Sequence, residues 1–249
     1  QFSNGGSTDT IVDIIDSDGT TDLETDDDSG SFSGTSSAIG GTIIAAAGTY
    51  YVKVDGFSTT ATITPYHLHV RLQSGTPTPE VEPNNDLGTA TPLAASGWMS
   101  GTITATTDPD FFSFSLNAGD SVFLGLDMDP ARLPSNTNWN GRLGLGIFAG
   151  NQILVVNDGS TTKPHAEAFF MTVKEAGTYY AYVDSTSATG LGANARYRLS
   201  VSIYPKQVQS NCTTFTSIDV PQLIGPGVGT ATSTIVVPGT VTSSISDIN

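Results

Sequence analysis

The sequence is poor in cysteine, in cationic side chains and in long apolar runs, and each scarcity excludes something. A single cysteine, Cys212, cannot close an internal disulfide, so the chain does not depend on an internal cross-link. Nine Lys plus Arg stand against 24 Asp plus Glu, a net charge of −15. That balance argues against nucleic acid and anionic membranes as partners, because neither phosphate neutralisation nor a polybasic patch is on offer. No apolar run approaches membrane-spanning length, so membrane insertion is not expected. The opening QFSNGGSTDT has no charged n-region followed by an apolar h-region, and no signal peptide is read there. Catalytic signatures are missing as well: G-x-S-x-G, H-E-x-x-H, a Gly-rich phosphate loop and a contextual Ser/His/Asp set are all absent, and no enzymatic activity is expected.

What is present favours an all-β fold of tandem jelly-roll or β-sandwich domains joined by a Pro/Thr-rich linker. Thr, Ser, Gly and Val are abundant, charged residues make up only 13%, and no long segment shows helical apolar periodicity. Residues 1–9 read as a polar arm. Strands are predicted around Ile11–Ile15, near Leu23, and over Gly41–Ala45, Thr49–Gly56 and Tyr66–Leu72. After the stiff linker GTPTP at 75–79, a longer series is predicted at Gly97–Thr104, Asp110–Leu116, Ser121–Asp127, Arg142–Ala149, Ile153–Val156, Ala166–Val173, Gly177–Asp184 and Arg196–Tyr204. By parity, Phe112, Phe114, Leu116, Leu124, Leu143, Leu145, Tyr180, Tyr182, Leu199 and Val201 are the expected core.

The two series repeat each other. AGTYYVKVD at 47–55 returns as AGTYYAYVD at 176–184, YHLHV at 66–70 returns as YRLSV at 197–201, and Asp26-Asp27 falls near Asn157-Asp158. Residues 1–74 therefore read as the second half of a domain whose complete copy spans 80–204. Residues 205–232 form a Gly/Pro/Thr-rich connector, and 233–249 a strand-forming tail with candidates at Ser233–Val237 and Thr240–Ile245.

Hard oxygen ligands gather at the start of the complete copy. Glu80, Glu82, Asn84, Asn85 and Asp86 crowd around Pro83, and Asp108-Pro109-Asp110 runs into the aromatic strand Phe111-Phe112-Ser113-Phe114. Calcium takes six to eight such oxygens, and a proline-stiffened loop loses less entropy on ordering them. EPNN, an alanine-containing apolar segment, a Gly-rich turn, DPDFFSF and the later AGTYYAYV resemble the bacterial pre-peptidase C-terminal domain, a secreted β-sandwich family that includes collagen-binding modules of clostridial collagenases. The resemblance covers Glu80 to Tyr204. It implies calcium ligands at Glu80, Glu82, Asn84 and Asn85 from the loop and at Asp110 from the strand mouth. Asn85 departs from the family, which uses Asp there, and the second strand-mouth acid, Asp108, stands one place later than in the family. The other account is that Glu82-Pro83-Asn84 caps the domain through turn hydrogen bonds. The segment STIVVPGTVTSSISDIN is similar to the opening strands of the P-like domain that accompanies secreted proteases and surface proteins.

Other polar groups have simpler readings. Asp16-Ser17-Asp18-Gly19 lacks the later Glu and the helices of an EF-hand, and Asp26, Asp27 and Asp28 read with it as solvated turn acids. His67 and His69 share a strand face at a spacing that can bind zinc or copper, with no third ligand identifiable, and an exposed pair is the simpler account. His165 belongs to no recognisable motif. Trp98 and Trp139 serve either a polymer-binding surface or the core. Two functions follow as expectations. One is a secreted or cell-surface module, non-catalytic and stabilised by calcium, that binds an extracellular polymer or surface and spaces its neighbours. The other is a subunit of an extracellular filament or sheath, in which the tail of one copy completes the half-domain of the next by strand addition.

Overall fold

A computed structural model describes residues 9–30, 35–58, 63, 66, 68–132, 138–147, 152–156 and 165–206. The chain divides into two compact units, Gln1–Lys206 and Gln207–Asn249. The second unit lies outside the described residues, and with it Cys212, most of the expected connector and both tail strands; His67 and Asn157-Asp158 lie outside them too.

The fold is all-β: strands and loops account for every described residue. Among those residues no helix is long and apolar enough to cross a membrane. Two five-stranded sheets form the body. The first is ordered β10 (Gln152–Val156), β9 (Arg142–Ile147), β12 (Gly177–Asp184), β7 (Asp110–Leu116), β5 (Thr91–Pro92). The second is ordered β11 (Ala166–Thr172), β8 (Ser121–Asp127), β13 (Arg196–Tyr204), β6 (Trp98–Thr102), β4 (Thr78–Pro79). Alternation decides these strands: in β7, Asp110, Phe112, Phe114 and Leu116 turn inward while Phe111, Ser113 and Ser115 turn out. Leu143, Leu145, Ala181 and Val183 extend that inner layer, and Met99, Leu124, Leu126, Phe169, Tyr197 and Leu199 of the second sheet close on it. Each such aliphatic or aromatic side chain, fully buried, contributes about 1.5–3 kcal/mol. Trp139 is wholly enclosed in this core, whereas Trp98 is half-buried on the second sheet.

In β12 the inner face is the reverse of the expectation. Tyr179, Ala181 and Val183 enter the core, while Tyr180 is buried outside it and Tyr182 is half-buried. GTYYAYVD is apolar on both faces, so parity is undecided by composition, and the register decides it. Ala181 pairs with Phe112 on one side and Leu145 on the other, a slot that suits a methyl group between two large side chains. Tyr182 instead lies over Gly144, where a Cβ would stand 2.1 Å from the Tyr182 ring, and packs beside Phe111 with ring centroids 5.5 Å apart.

The N-terminal segment builds a three-stranded sheet, β2 (Asp22–Asp26), β1 (Thr10–Ile15), β3 (Tyr51–Gly56). Two further expected strands are corrected. Gly41–Ala45 and the described part of Tyr66–Leu72 have no ladder partner. The Thr42 hydroxyl donates to Glu24 of β2 at 2.8 Å, whereas the polar groups of 69–71 are spent on the outside of the second sheet. His69 stacks on Phe123 at 3.6 Å between centroids and shares a 2.7 Å hydrogen bond with the Tyr204 hydroxyl. Arg71 donates to the Val201 carbonyl and the Ser202 hydroxyl. A segment crossing the face of a sheet has no free edge to pair with.

Arg132 ties the N-terminal sheet to this face. Its guanidinium donates to Glu24 of β2 at 2.8 and 3.2 Å, to Asp127 of β8 at 2.7 Å, and to the Asp129 and Gly41 carbonyls. Asp127 is buried, which pushes its carboxyl above the usual range, and Arg132 opposes that shift. Removing one partner of a buried pair leaves the other charge uncompensated. Arg132→Met should therefore cost about 3–5 kcal/mol in urea unfolding. Lys53→Met, which removes an exposed ammonium from beside Asp13 and Asp55, should leave the urea midpoint almost unchanged. Equal losses from the two would contradict this assignment.

Candidate metal centre

At the mouth of the sandwich the loop after β4 meets the start of β7. The Phe111 amide donates to the Asn84 carbonyl at 3.0 Å, which docks the acidic loop onto the strand. Val81 and Thr91 exchange hydrogen bonds of 3.1 and 3.2 Å and hold the loop's other side. This brings carboxylate oxygens of Glu80, Glu82 and Asp110 within 4.8 Å of one another.

Asp110 is fully buried and faces the Tyr197 hydroxyl at 2.5 Å; the same hydroxyl lies 2.8 Å from Glu80 Oε2. One phenolic proton cannot be donated to two carboxylates at once, so the trio needs a further positive charge. In the unliganded protein that charge is a proton. Burial, then the hydrogen bond and charge of Glu80, push Asp110 up to about 10, against the pull of Tyr197. Glu82 is raised by burial, and Tyr197 is raised well above the phenolic range, again by burial first. Glu80 keeps its other oxygen on the Thr102 amide at 2.9 Å. Gly101 makes room for the arrangement, because a Cβ there would lie 2.2 Å from the Tyr197 oxygen and 2.3 Å from Glu80 Oε2.

The Asn84 side chain is fully buried, and its amide meets Glu82 Oε2 at 3.3 Å and Asp110 Oδ1 at 3.2 Å. With the nitrogen turned in, it donates to both. With the nitrogen turned out toward Thr91 Oγ1 at 3.5 Å, the amide oxygen joins the carboxylates as a fourth donor. A set of three carboxylates and one amide oxygen, all hard donors, fits calcium.

The remaining two residues of the expected set stand beside this group. Asn85 donates to Asp108 Oδ1 at 3.0 Å, while Asp108 Oδ2 accepts from the Thr104 amide at 2.9 Å and from its hydroxyl. Asn85 Oδ1 is buried without a hydrogen-bond partner among the described residues. Tyr197 and Gly101 were not picked out by sequence reasoning. No local pattern marks them, since Tyr197 meets Asp110 across 87 positions of sequence.

The other acidic turns differ: that of Asp18 is closed by its own hydrogen bonds, whereas at 26–28, expected as solvated acids, Asp26 is buried and Asp27 Oδ1, like Asp9 Oδ1, is buried without a hydrogen-bond partner among the described residues. Asp18 receives the amides of Thr20 and Thr21 at 2.8 Å each and the Thr21 hydroxyl, and these bonds, the Thr21 hydroxyl first, lower it to about 2. Asp26 accepts the Ser29 and Ala38 amides, and Asp27 and Asp28 converge with Asp9. His69 is lowered by burial against Phe123, and His165 is buried with its carbonyl accepting from the Met128 amide.

No family model and no curated protein matches the chain. Among solved structures, similar chains include the pre-peptidase C-terminal domain of a collagenase from Bacillus anthracis, at 16% identity and TM-score 0.32, covering 45% of this chain and 94% of that one. A periplasmic inhibitor of g-type lysozyme from Aeromonas hydrophila matches at 11% identity and TM-score 0.30, over 51% of this chain and 99% of that one. The M60 catalytic domain with two CBM51 domains of Clostridium perfringens ZmpB matches at 12% identity and TM-score 0.31, over 66% of this chain and 17% of that one.

The trio makes a pH prediction for protein in chelator. Folded Asp110 keeps its proton to about pH 10, whereas an unfolded Asp loses it near pH 4. Its contribution to stability is full below about pH 4 and is lost as the pH rises toward about 10, at up to about 1.4 kcal/mol per unit. Urea midpoints should fall between about pH 5 and about pH 8, and Asp110→Asn, which cannot ionise, should flatten that slope. A slope unaffected by the substitution would remove Asp110 as the titrating group.

Proposed function

We propose that this chain is a non-catalytic, calcium-stabilised β-sandwich module of the pre-peptidase C-terminal type, working outside the cell to bind a surface or polymer and to space the parts of a larger protein. The observation that carries it is the convergence of Glu80, Glu82 and Asp110, with the Asn84 amide, at a buried position where one carboxylate otherwise holds a proton. A divalent cation supplies the missing positive charge and offsets the cost of burying the carboxylates. Extracellular modules commonly work with weak sites, Kd on the order of 10⁻⁴–10⁻³ M, because the ion is abundant there. The placement also suits a spacer. Glu80 follows directly on β4, whose parallel pairing with β6 brings the 75–79 linker into the sandwich. An ion held by Glu80 and Asp110 would clamp the chain where it passes from the N-terminal sheet into the body.

Because the ion must displace the Asp110 proton, its affinity should rise with pH, about tenfold per unit while one proton is released. Calorimetric titration of the full chain with calcium at about pH 6, 7 and 8, with the melting temperature followed in parallel, tests this. Binding that tightens with pH and raises the melting temperature is expected. No heat and no thermal shift at millimolar calcium would overturn the reading.

A second reading is supported by the N-terminal sheet. Its outer strands β2 and β3 each have one pairing partner among the described residues. Tyr51, Val52 and Phe57, at 49, 38 and 63% exposure, are uncovered there. A strand from a second copy, of the β-branched kind found at 233–249, would add to β3 and extend a head-to-tail fibre. Negative-stain microscopy of the native protein should then show fibres, and Val52→Lys should disperse them; dispersed particles of the unaltered protein would dismiss this reading.

A further inference from the structure

At one end of the N-terminal sheet β1 begins and β2 and β3 finish, and acids gather there. Asp9 stands just before β1, while Asp27 and Asp28 follow directly on β2. Antiparallel pairing of β1 with both neighbours sets the three strand ends side by side: Val12 faces Asp26 across one ladder, and Thr10 faces Gly56 across the other. The Ser37 hydroxyl binds the same end together, against the carbonyls of Thr10 and of Asp27, the latter at 2.8 Å. The Asp9 carbonyl accepts the Phe57 amide at 3.2 Å. Carboxylate oxygens of Asp9, Asp27 and Asp28 consequently lie within 4.8 Å of one another.

Acids at strand ends are ordinary when water solvates them, and here it does not. Asp9 Oδ1 and Asp27 Oδ1 are enclosed and accept no hydrogen bond among the described residues. Enclosed carboxylates elsewhere in the molecule are satisfied. Asp26 receives the Ser29 and Ala38 amides, Asp120 the Asn117 and Lys206 amides, and Asp127 the Arg132 guanidinium. Cations are spent elsewhere as well, since the ion pairs among the described residues go to Asp13, Asp55, Glu24, Asp127 and Asp184. A carboxylate oxygen that has given up water costs free energy until a donor or a cation replaces it. Two such oxygens, from separate stretches of chain and in one acidic group, lack a positive charge between them.

We propose that Asp9, Asp27 and Asp28 form a calcium site of their own, separate from that at Glu80, Glu82 and Asp110, and that its ion fastens the open end of the N-terminal sheet. All three side chains are hard oxygen donors with no His or Cys among them, which suits calcium or magnesium rather than zinc or copper. The spread of their oxygens is no wider than two calcium–oxygen bonds of about 2.3–2.6 Å laid end to end. Magnesium sheds its water reluctantly, whereas enclosed oxygens are reached only by an ion that gives water up. Asp28 is exposed, so water can fill the positions on its side. The ion would close the β1–β2 hairpin beyond its last paired residues, Val12 and Asp26, and would order the Asp9 backbone that receives Phe57 after β3. Three strands with an exposed outer member are marginal by themselves, so a fastening at their common end sets how often the sheet opens.

Hydrogen exchange of the full chain, resolved by peptide mass spectrometry, tests this in millimolar calcium, in chelator, and in potassium chloride of matched ionic strength. Calcium is expected to slow exchange at Thr10–Ile15 and Tyr51–Gly56 by about tenfold or more relative to both other conditions. The double variant Asp27→Asn, Asp28→Asn should lose that slowing, with exchange of β7, β8 and β12 in chelator unchanged as the sign that the body is folded. Asp18→Asn, in a turn closed by its own hydrogen bonds, should keep the slowing, and so should Asp110→Asn, which touches only the other site. Equal slowing by potassium chloride, or by calcium in the double variant, would reduce the effect to charge screening and overturn the proposal. Absence of any slowing at these strands in the unaltered protein would overturn it too, whatever calcium does at β7 and β13. Loss of the slowing in Asp110→Asn would place the ion at Glu80 and Asp110 alone.

Discussion

Everything at the mouth of the sandwich depends on one buried contact, the Tyr197 hydroxyl set between the carboxylates of Asp110 and Glu80. Asp110 opens β7 of the first sheet, Tyr197 lies in β13 of the second, and Glu80 follows edge strand β4, so the contact joins both layers and the incoming chain. It forms only because Gly101 leaves the volume into which Tyr197 and Glu80 turn. Two acids and a phenol enclosed together are costly unless a proton or a cation balances them, and that requirement turns a structural joint into a candidate ion site.

The same economy of charge runs through the rest of the molecule. Asp127, outside the sandwich core yet buried, is balanced by Arg132, which also reaches Glu24 and so fastens the N-terminal sheet. Arg142 holds Asp184 at the outer rim of the first sheet. In a chain with few cations, Lys53, Arg132 and Arg142 each hold a carboxylate, and Arg71 binds the outer face of the second sheet.

Strands of the body were readable where their apolar and polar residues alternate: Asp110–Leu116, Ser121–Asp127 and Arg196–Tyr204 coincide with β7, β8 and β13. Where alternation fails, so did the reading. Tyr180 and Tyr182 belong to a strand apolar on both faces, and only the pairing of Ala181 with Phe112 and Leu145 sets its parity. Leu68–Leu72 has strand composition but no edge to pair with. The two-residue strands Thr78–Pro79 and Thr91–Pro92 are too short to carry a periodic signal. The acids around Pro83 and before Phe111 could be found by residue type. That Asp110 joins Glu80 and Glu82, while Asp108 pairs with Asn85, follows from backbone direction at the strand mouth and is invisible in spacing.

The measurement that tests the account most directly is a crystal structure of the protein grown in millimolar calcium, with the ion identified by its anomalous scattering. The account predicts one ion about 2.3–2.6 Å from oxygens of Glu80, Glu82 and Asp110, with the Asn84 amide oxygen turned toward it. An empty trio, with the Asn84 nitrogen donating to Glu82 and Asp110, would contradict it.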